Sequence, residues 1–220
     1  MFLTRMYLNP ARRGTRFLLS SPQRIHAAVL NGFPPESSDG DGRILWRTDE
    51  NPHELILYVS SPARPDLTHL VEQAGWPTAP APWQTASLEP LLDRLAAGQR
   101  WAFRLTANPV RSVTEPGRSR GKRYAHVTVA QQLGWLADRS EGWGFSIGDI
   151  GQPTAEVIAR RTNSFNRHSD GHQRQVTVAT AVFQGSLQVT DPAVLAGAMR
   201  DGMGRAKGYG CGLLTLAPLT

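Results

Sequence analysis

Gly202-Met203-Gly204-Arg205-Ala206-Lys207-Gly208-Tyr209-Gly210-Cys211-Gly212 is the stretch on which the reading of this chain turns. Five glycines stand two or four residues apart, with two cations among them, directly before the apolar run Leu213-Leu214-Thr215-Leu216. Glycine allows positive φ and lets another molecule approach the main chain. Successive exposed N–H groups in such a turn form a concavity that suits an anion. Gly204, Arg205, Lys207 and Gly208 are therefore read as phosphate contacts. A plain turn before a last strand needs one or two glycines, not five. The stretch also excludes two nucleotide-binding folds. Gly-x4-Gly-Lys-Ser/Thr is absent, no strand precedes the glycines, and no acidic residue follows at the spacing of the dinucleotide fingerprint. What remains is a turn that delivers the chain from a final helix into a final strand.

Outward from that turn, the second half of the chain completes a pattern. Arg100 to Leu105 alternates as a strand and is closed by Asn108-Pro109. Thr128 to Arg139 reads as a helix with Val129, Leu133 and Leu136 on one face. Glu156 to Thr162 and Gln175 to Val189 read as strands, the second bent at Gly185-Ser186, and Asp191-Pro192 starts a helix running to about Arg200. With Leu213 to Leu216 the order is β-α-β-β-α-β, that of a ferredoxin-like unit. The first half spells the same order. Its strands are Phe2 to Leu8, Ile44 to Arg47, Leu55 to Val59, and weakly Trp83 to Leu88. Its helices run from Pro22, capped by Ser21, to about Phe33, and from Leu67 to Ala74. Arg12, Arg13 and Arg16 are read as a short basic loop, and Arg111 to Arg123 as a mobile one. The fold class is α+β: two tandem ferredoxin-like (RRM-like) βαββαβ domains, residues 1–92 and 93–220, with no matching sequence repeat. That scaffold is shared with a common RNA-binding module, although the module's aromatic signature is not visible here.

Composition narrows the partner. The 220 residues are 40% hydrophobic and 19% charged, as in ordinary globular chains. The net charge is +6 and the pI about 10.2. Arginine supplies most of the positive charge, and its planar fork grips two phosphate oxygens at once. A polyanion, nucleic acid first, is the expected partner. Cys211 is the single cysteine, so no intrachain disulfide or cysteine metal cluster can form. No apolar run reaches the roughly 20 residues of a membrane helix, and Thr4, Arg5 and Asn9 do not suit a signal peptide. A cytoplasmic protein is expected. His168 and His172 flank a polar tip and lack the further ligands of a zinc site.

Several stretches together resemble one family. They are Met1-Phe-Leu-Thr-Arg-Met-Tyr-Leu-Asn-Pro10, Ser21-Pro-Gln-Arg-Ile-His26, Ile44-Leu-Trp-Arg47, Phe103-Arg-Leu-Thr-Ala-Asn-Pro109 and Gly204 to Pro218. In that order, spread over the whole chain, they are similar to the CRISPR RNA-processing endoribonucleases of type I-E systems. The resemblance implies tandem ferredoxin-like domains. It implies a metal-independent, cofactor-free enzyme that binds the stem-loop of a CRISPR repeat and cuts at the 3′ base of the stem. The 2′-hydroxyl before the cut attacks, leaving a 2′,3′-cyclic phosphate and a 5′-hydroxyl. The enzyme then stays on the product with other Cascade subunits. The alternative is a non-cleaving RNA-binding subunit of the same fold.

His26 separates these two, because a binder needs no proton carrier there. A lone histidine beside a core face is usually a surface residue. The resemblance makes His26 the general acid/base, with a reference pKa of about 6.5 that suits proton exchange. Gln23 departs from the family, many members of which carry tyrosine three residues before the histidine. Glutamine donates hydrogen bonds but is a poor proton donor. Arg12, Arg13 and Arg16, just before the His26 helix, and Gln23 are candidate RNA contacts. So are Arg111, Arg118, Arg120, Lys122 and Arg123, which order on RNA, and one of Arg160 and Arg161. Trp46, Trp101 and Trp135 are read as core.

Overall fold

The computed structural model describes residues 1–35, 42–114, 121–149, 152–169 and 172–219. Arg118, Arg120, Asp170 and Gly171, and all but the last residue of the Glu36–Gly42 turn, lie outside the described residues. The first half contains β1 (Phe2–Leu8), α1 (Arg13–Leu19), α2 (Pro22–Leu30), β2 (Leu45–Glu50), β3 (Leu55–Ser61), α3 (Thr68–Ala74) and β4 (Trp83–Ser87). Its sheet runs β2-β3-β1-β4 with every neighbouring pair antiparallel. After α4 (Glu89–Leu92) come β5 (Arg100–Ala107), β6 (Val110–Val113), β7 (Lys122–Ala125), α5 (Val129–Ser140) and the two-residue strands β8 (Phe145–Ser146), β9 (Gly148–Asp149) and β10 (Gln152–Pro153). The long strands β11 (Ala155–Ser169) and β12 (His172–Val189), then α6 (Pro192–Asp201) and β13 (Leu214–Ala217), complete the chain. The second sheet runs β11-β12-β5-β13. Counted from the first strand of each half, both sheets have the order second, third, first, fourth, so the architecture is two tandem ferredoxin-like domains.

Alternation builds each core. In β1, Met6 and Leu8 face inward with Leu57 and Val59 of β3, and Ile25, Val29, Leu70 and Val71 of the helices close over them. In the second domain Phe103, Leu105, Phe183 and Leu187 meet Trp135, Leu136, Leu195 and Met199, with Trp135 stacked on Phe183 at 6.2 Å. The helix starts follow their capping residues. Thr128 and Gln131 form a reciprocal capping box at α5. Asp191 accepts from the Ala193 and Val194 N–H groups at α6. At α2, Pro22 takes the first helical position but the Ser21 hydroxyl makes no cap bond.

Three expectations are corrected. The Arg12–Arg16 stretch is not a loop: Arg13 onward forms α1, held by the burial of Thr15 and Leu18. The His26 helix ends at Leu30 and not Phe33, because Asn31 closes the last turn, although Phe33 is still buried. The ends of the basic stretch are paired strands, with Arg111 opposite Tyr124, Ser112 opposite Arg123 and Val113 opposite Lys122. In β12 Gly185 takes φ 150°, and the partner strand β11 shifts register between Val157 and Ala159.

One side chain fastens the domains together. Arg47 on β2 is 2% exposed and all five of its N–H groups are used. Nε and Nη2 hold the Asp49 carboxylate at 2.7 and 2.9 Å. Nη1 donates to the carbonyls of Arg104 and Leu213 at 2.8 and 3.1 Å, and Nη2 to the Thr215 hydroxyl at 3.0 Å.

Candidate active site

His26 sits at the seam between the domains. Ile25 and Val29 turn into the first core, which leaves His26, a hundred degrees further round α2, half-buried at the edge. Its ring is held from two sides. The Trp46 indole N–H donates to Nδ1 at 3.4 Å. On the other side lies Gly208, where a β carbon would stand 3.3 Å from Nε2 and 3.5 Å from two ring carbons. Accepting at Nδ1 favours the neutral tautomer with its proton on Nε2, directed at the glycine turn. Burial holds the His26 pKa below the ordinary histidine value. The imidazole is therefore uncharged at neutral pH and presents its Nε2 N–H to the turn.

The glycine turn is rigidly anchored. Met203 N–H donates to Gly212 O at 2.9 Å, and Gly212 N–H to Thr106 O at 2.8 Å. Between them Lys207–Tyr209 forms one 3-10 turn, entered by Ala206 at φ 60° and left by Gly210 at φ 81°. Gly210 has a double reason to be glycine: its backbone is left-handed, and a β carbon would meet the Trp46 ring at 2.8 Å. The same Trp46 thus orients His26 and receives the turn that faces it. The Tyr209 ring meets Phe165 of β11 edge-on at 5.0 Å, which ties the turn to the long hairpin.

The expected site residues fall into separate groups. Gly208 and His26 are brought together, with Gln23 one helical turn before His26. Gln23 Oε1 is buried and has no hydrogen-bond partner among the described residues. Lys207 is half-buried and donates to Asp201 O at 2.7 Å. Burial, then Arg43, lowers its pKa against the opposing pull of Asp201. Arg205 is exposed and Gly204 lies over Trp135, on the side away from His26. Arg12 donates to the Val71 and Gly75 carbonyls, both at 3.2 Å, and so caps the end of α3. Arg16 donates to Ala11 O at 2.8 Å, and Arg13 is exposed. Arg111, Lys122 and Arg123 are exposed on the β6–β7 hairpin, with the Lys122 ammonium 5.3 Å over Tyr124. Arg160 and Arg161 diverge: the first donates to Val127 O at 3.0 Å, the second crosses to Glu50 of the first domain at 3.4 Å.

Sequence reasoning missed two contributors. Trp46 is core, as expected (2% exposed), but its N–H is what aims His26. Arg47 was legible only through Asp49, two residues on and therefore on the same face of the strand. Cys211 is not a nucleophile, since complete burial pushes its thiol up to about 12. Among the described residues no helix is long and apolar enough to cross a membrane.

Comparison with known proteins agrees with this fold. The family model described as "CRISPR associated protein" matches residues 1–218. The chain is similar to the CRISPR-associated endoribonuclease Cse3 of Thermus thermophilus, 32% identical over 224 residues, or 99% of this chain and 100% of that protein. It is similar to the Cascade subunit CasE of the CRISPR system of Escherichia coli K12, 27% identical over 187 residues, or 80% of this chain and 89% of that one. The solved structure of Thermus thermophilus Cse3 bound to an RNA representing a pre-cleavage complex superposes with a TM-score of 0.76 at 29% identity, over 99% of this chain and 98% of that chain. The repeated strand order, the full-length match and the level of identity agree: this chain belongs to the CRISPR-associated protein family, in the type I-E branch that includes Cse3 and CasE.

Proposed function

We propose that this chain is a metal-independent endoribonuclease of the cytoplasm. It binds the stem-loop of a CRISPR repeat, cuts precursor RNA at the 3′ base of the stem, and stays on its product as a Cascade subunit. The observation that carries the reading is the His26 ring, clamped between the Trp46 indole and Gly208 with Nε2 aimed at the glycine turn. In the reaction the 2′-oxygen before the cut loses its proton and bonds to phosphorus, the bond from phosphorus to the 5′-oxygen breaks, and that oxygen takes up a proton. The products are a 2′,3′-cyclic phosphate and a 5′-hydroxyl. Substrate supplies the nucleophile, so the protein must hold it in line, exchange a proton through the His26 ring, and offset charge on the phosphate. Turn N–H groups with Lys207 and Arg205 serve the last task as electrostatic stabilisation.

The domains divide the work at a boundary after residue 92. The first supplies His26 and Gln23. The second supplies the turn at Gly204 and Gly208 and the stem contacts Arg111, Arg118, Arg120, Lys122 and Arg123. Arg161 reaches across the seam towards the ligand, while Arg160 is turned to α5. Arg13 and Arg16 lie beside the path of the RNA, and Arg12 supports it through α3. One altered substrate tests the reaction. A single 2′-deoxy nucleotide before the cut is expected to stop cleavage while the RNA still binds, and EDTA is expected not to slow cleavage of the unmodified RNA. Cleavage of the deoxy substrate, or a strict need for Mg²⁺, would overturn the reading. Tight binding of unmodified repeat RNA without cleavage would favour the non-cleaving subunit.

A further inference from the structure

A cleft of about 400 Å³ opens between the domains beside Trp46. Its size falls in the range of about 300–1,000 Å³ typical of sites that enclose a small ligand. We infer that it is a subsite for one unstacked nucleotide, the one on the 3′ side of the cut. The inference rests on the proposed endoribonuclease reading.

Three observations carry it. The first is position. Trp46, Tyr209 and Gly210 line the cleft, and the same Trp46 and the same turn hold His26. A phosphate placed at His26 therefore has its neighbouring nucleotide at the mouth of the cleft. The second is charge. Four arginines line the cleft, Arg47, Arg104, Arg160 and Arg161, against two acidic residues, Asp49 and Glu50. Arg160 turns its guanidinium to Val127 O, and Asp49 is already held by Arg47 and by Arg104 at 3.3 Å. Among the described residues the Arg161 guanidinium pairs with Glu50, at 3.4 Å with both side chains about two-thirds exposed (64% and 66%), and such a pair yields readily to a phosphate. The third is the mixed lining. Pro22 and Ile25 offer an apolar wall on one side, while Asn163 and Thr180 offer donors and acceptors on the other. That combination suits a base face with polar edges.

Size decides which nucleotide enters. On the stem side of the cut the RNA is duplex, and a duplex cannot enter a hollow this small. The nucleotide beyond the stem is single-stranded and can. Cleavage then severs the nucleotide in the cleft from the hairpin on the basic surface, so the downstream RNA departs and the hairpin remains. A second hollow, lined among others by Asp66, Thr68, His69 and Glu72, includes among the described residues no arginine, and neither Trp46 nor any residue of the glycine turn.

The test uses hairpins made uncleavable by a 2′-deoxy nucleotide at the cut, one ending there and one extended by a single 3′ nucleotide. Wild-type protein is expected to bind the extended hairpin about tenfold more tightly, near the low end of what stacking one base contributes. Thr180→Trp or Val182→Trp, each filling the cleft, should abolish that advantage and leave binding of the short hairpin unchanged. In the wild type, a fluorescent aminopurine as the added nucleotide should be quenched on binding. No advantage for the extended hairpin, its survival in both filled variants at native melting temperature, or an unquenched aminopurine would overturn the subsite. Failure of wild-type protein to bind either hairpin would overturn the endoribonuclease reading, and the subsite with it.

Discussion

The two domains share one strand order and spend their remaining chain differently. In the first, the second and third strands are six and seven residues long. Asn51, whose side chain accepts from the His53 and Glu54 N–H groups, closes them into a tight hairpin. In the second, the corresponding strands are fifteen and eighteen residues long and outrun the core, burying Phe165 and Val178 among the described residues of the extension. The connection from the second helix to the fourth strand differs as well. In the first domain it holds Pro77, Pro80 and Pro82, which fix φ; in the second it is the glycine turn, which frees it. The glycine version is the one that lies against His26. The same topology thus yields a closed unit that contributes one reactive ring and an open unit that contributes the surface around it. On the proposed mechanism the chemistry lies beside a connection, not on a sheet face.

His26→Ala tests that division most severely. Cleavage should fall by about 10²–10⁴-fold, the usual contribution of a general acid/base group, with RNA affinity unchanged. A parallel loss of affinity would mean that the first domain also grips the RNA. Arg47→Met removes the fastener between the domains and strands Asp49 with Arg104 alone. Denaturant unfolding should show a loss of about 3 kcal/mol, as when one partner of a buried pair is removed. A loss within error would mean that packing alone joins the domains. Gly210→Val forces a branched side chain to φ 81° and into Trp46. It should cost about 1–3 kcal/mol of stability and reduce both cleavage and binding. Normal melting and normal cleavage together would leave the turn a passive connection.

How much of this was legible in the sequence varies by length scale. The strand order was, because alternation and helical spacing are local and repeat in both halves. The segments α1 and β6–β7 were not. Each has seven residues or fewer and little burial, so basic composition outweighed a weak periodic signal. The site divided the same way. The glycines of the turn announced a special backbone, but what they approach is 182 residues away in the case of Gly208 and His26, a distance no spacing rule spans. Arg12 illustrates the converse: its charge suggested RNA, and its geometry spends that charge on the end of a helix.

Smaller effects sharpen the contrast further. Lys122→Ala and Arg123→Ala on the second domain should each lower the log–log salt slope of RNA binding by somewhat less than about one unit, with no change in cleavage rate at saturating RNA. A change in rate instead of slope would move the hairpin from the grip to the chemistry. Last comes pH. Burial lowers the His26 pKa by disfavouring the charged ring, so the neutral form persists below the ordinary histidine value of about 6.5. Cleavage should be flat through neutrality and decline only as pH falls beneath that value. The folded state binds fewer protons than the unfolded chain there, so stability should decline in the same direction and range. A decline that begins above pH 6.5 would identify a different titrating group.

Arg47 has a consequence for the order in which the protein is made. Two of its partners, Leu213 and Thr215, are 166 and 168 positions further along the chain. Domains made first fold first during synthesis. The first domain must therefore leave the ribosome with a guanidinium paired with Asp49 alone, and that face stays wet until Leu213 and Thr215 have been made. The closing strand that houses this charge is also entered through the turn that faces His26. A chain released before Lys207 would lack both, leaving a histidine without its cradle and a first domain with an unsheltered charge. Assembly of the seam and readiness to cut thus wait on the same stretch of nascent chain.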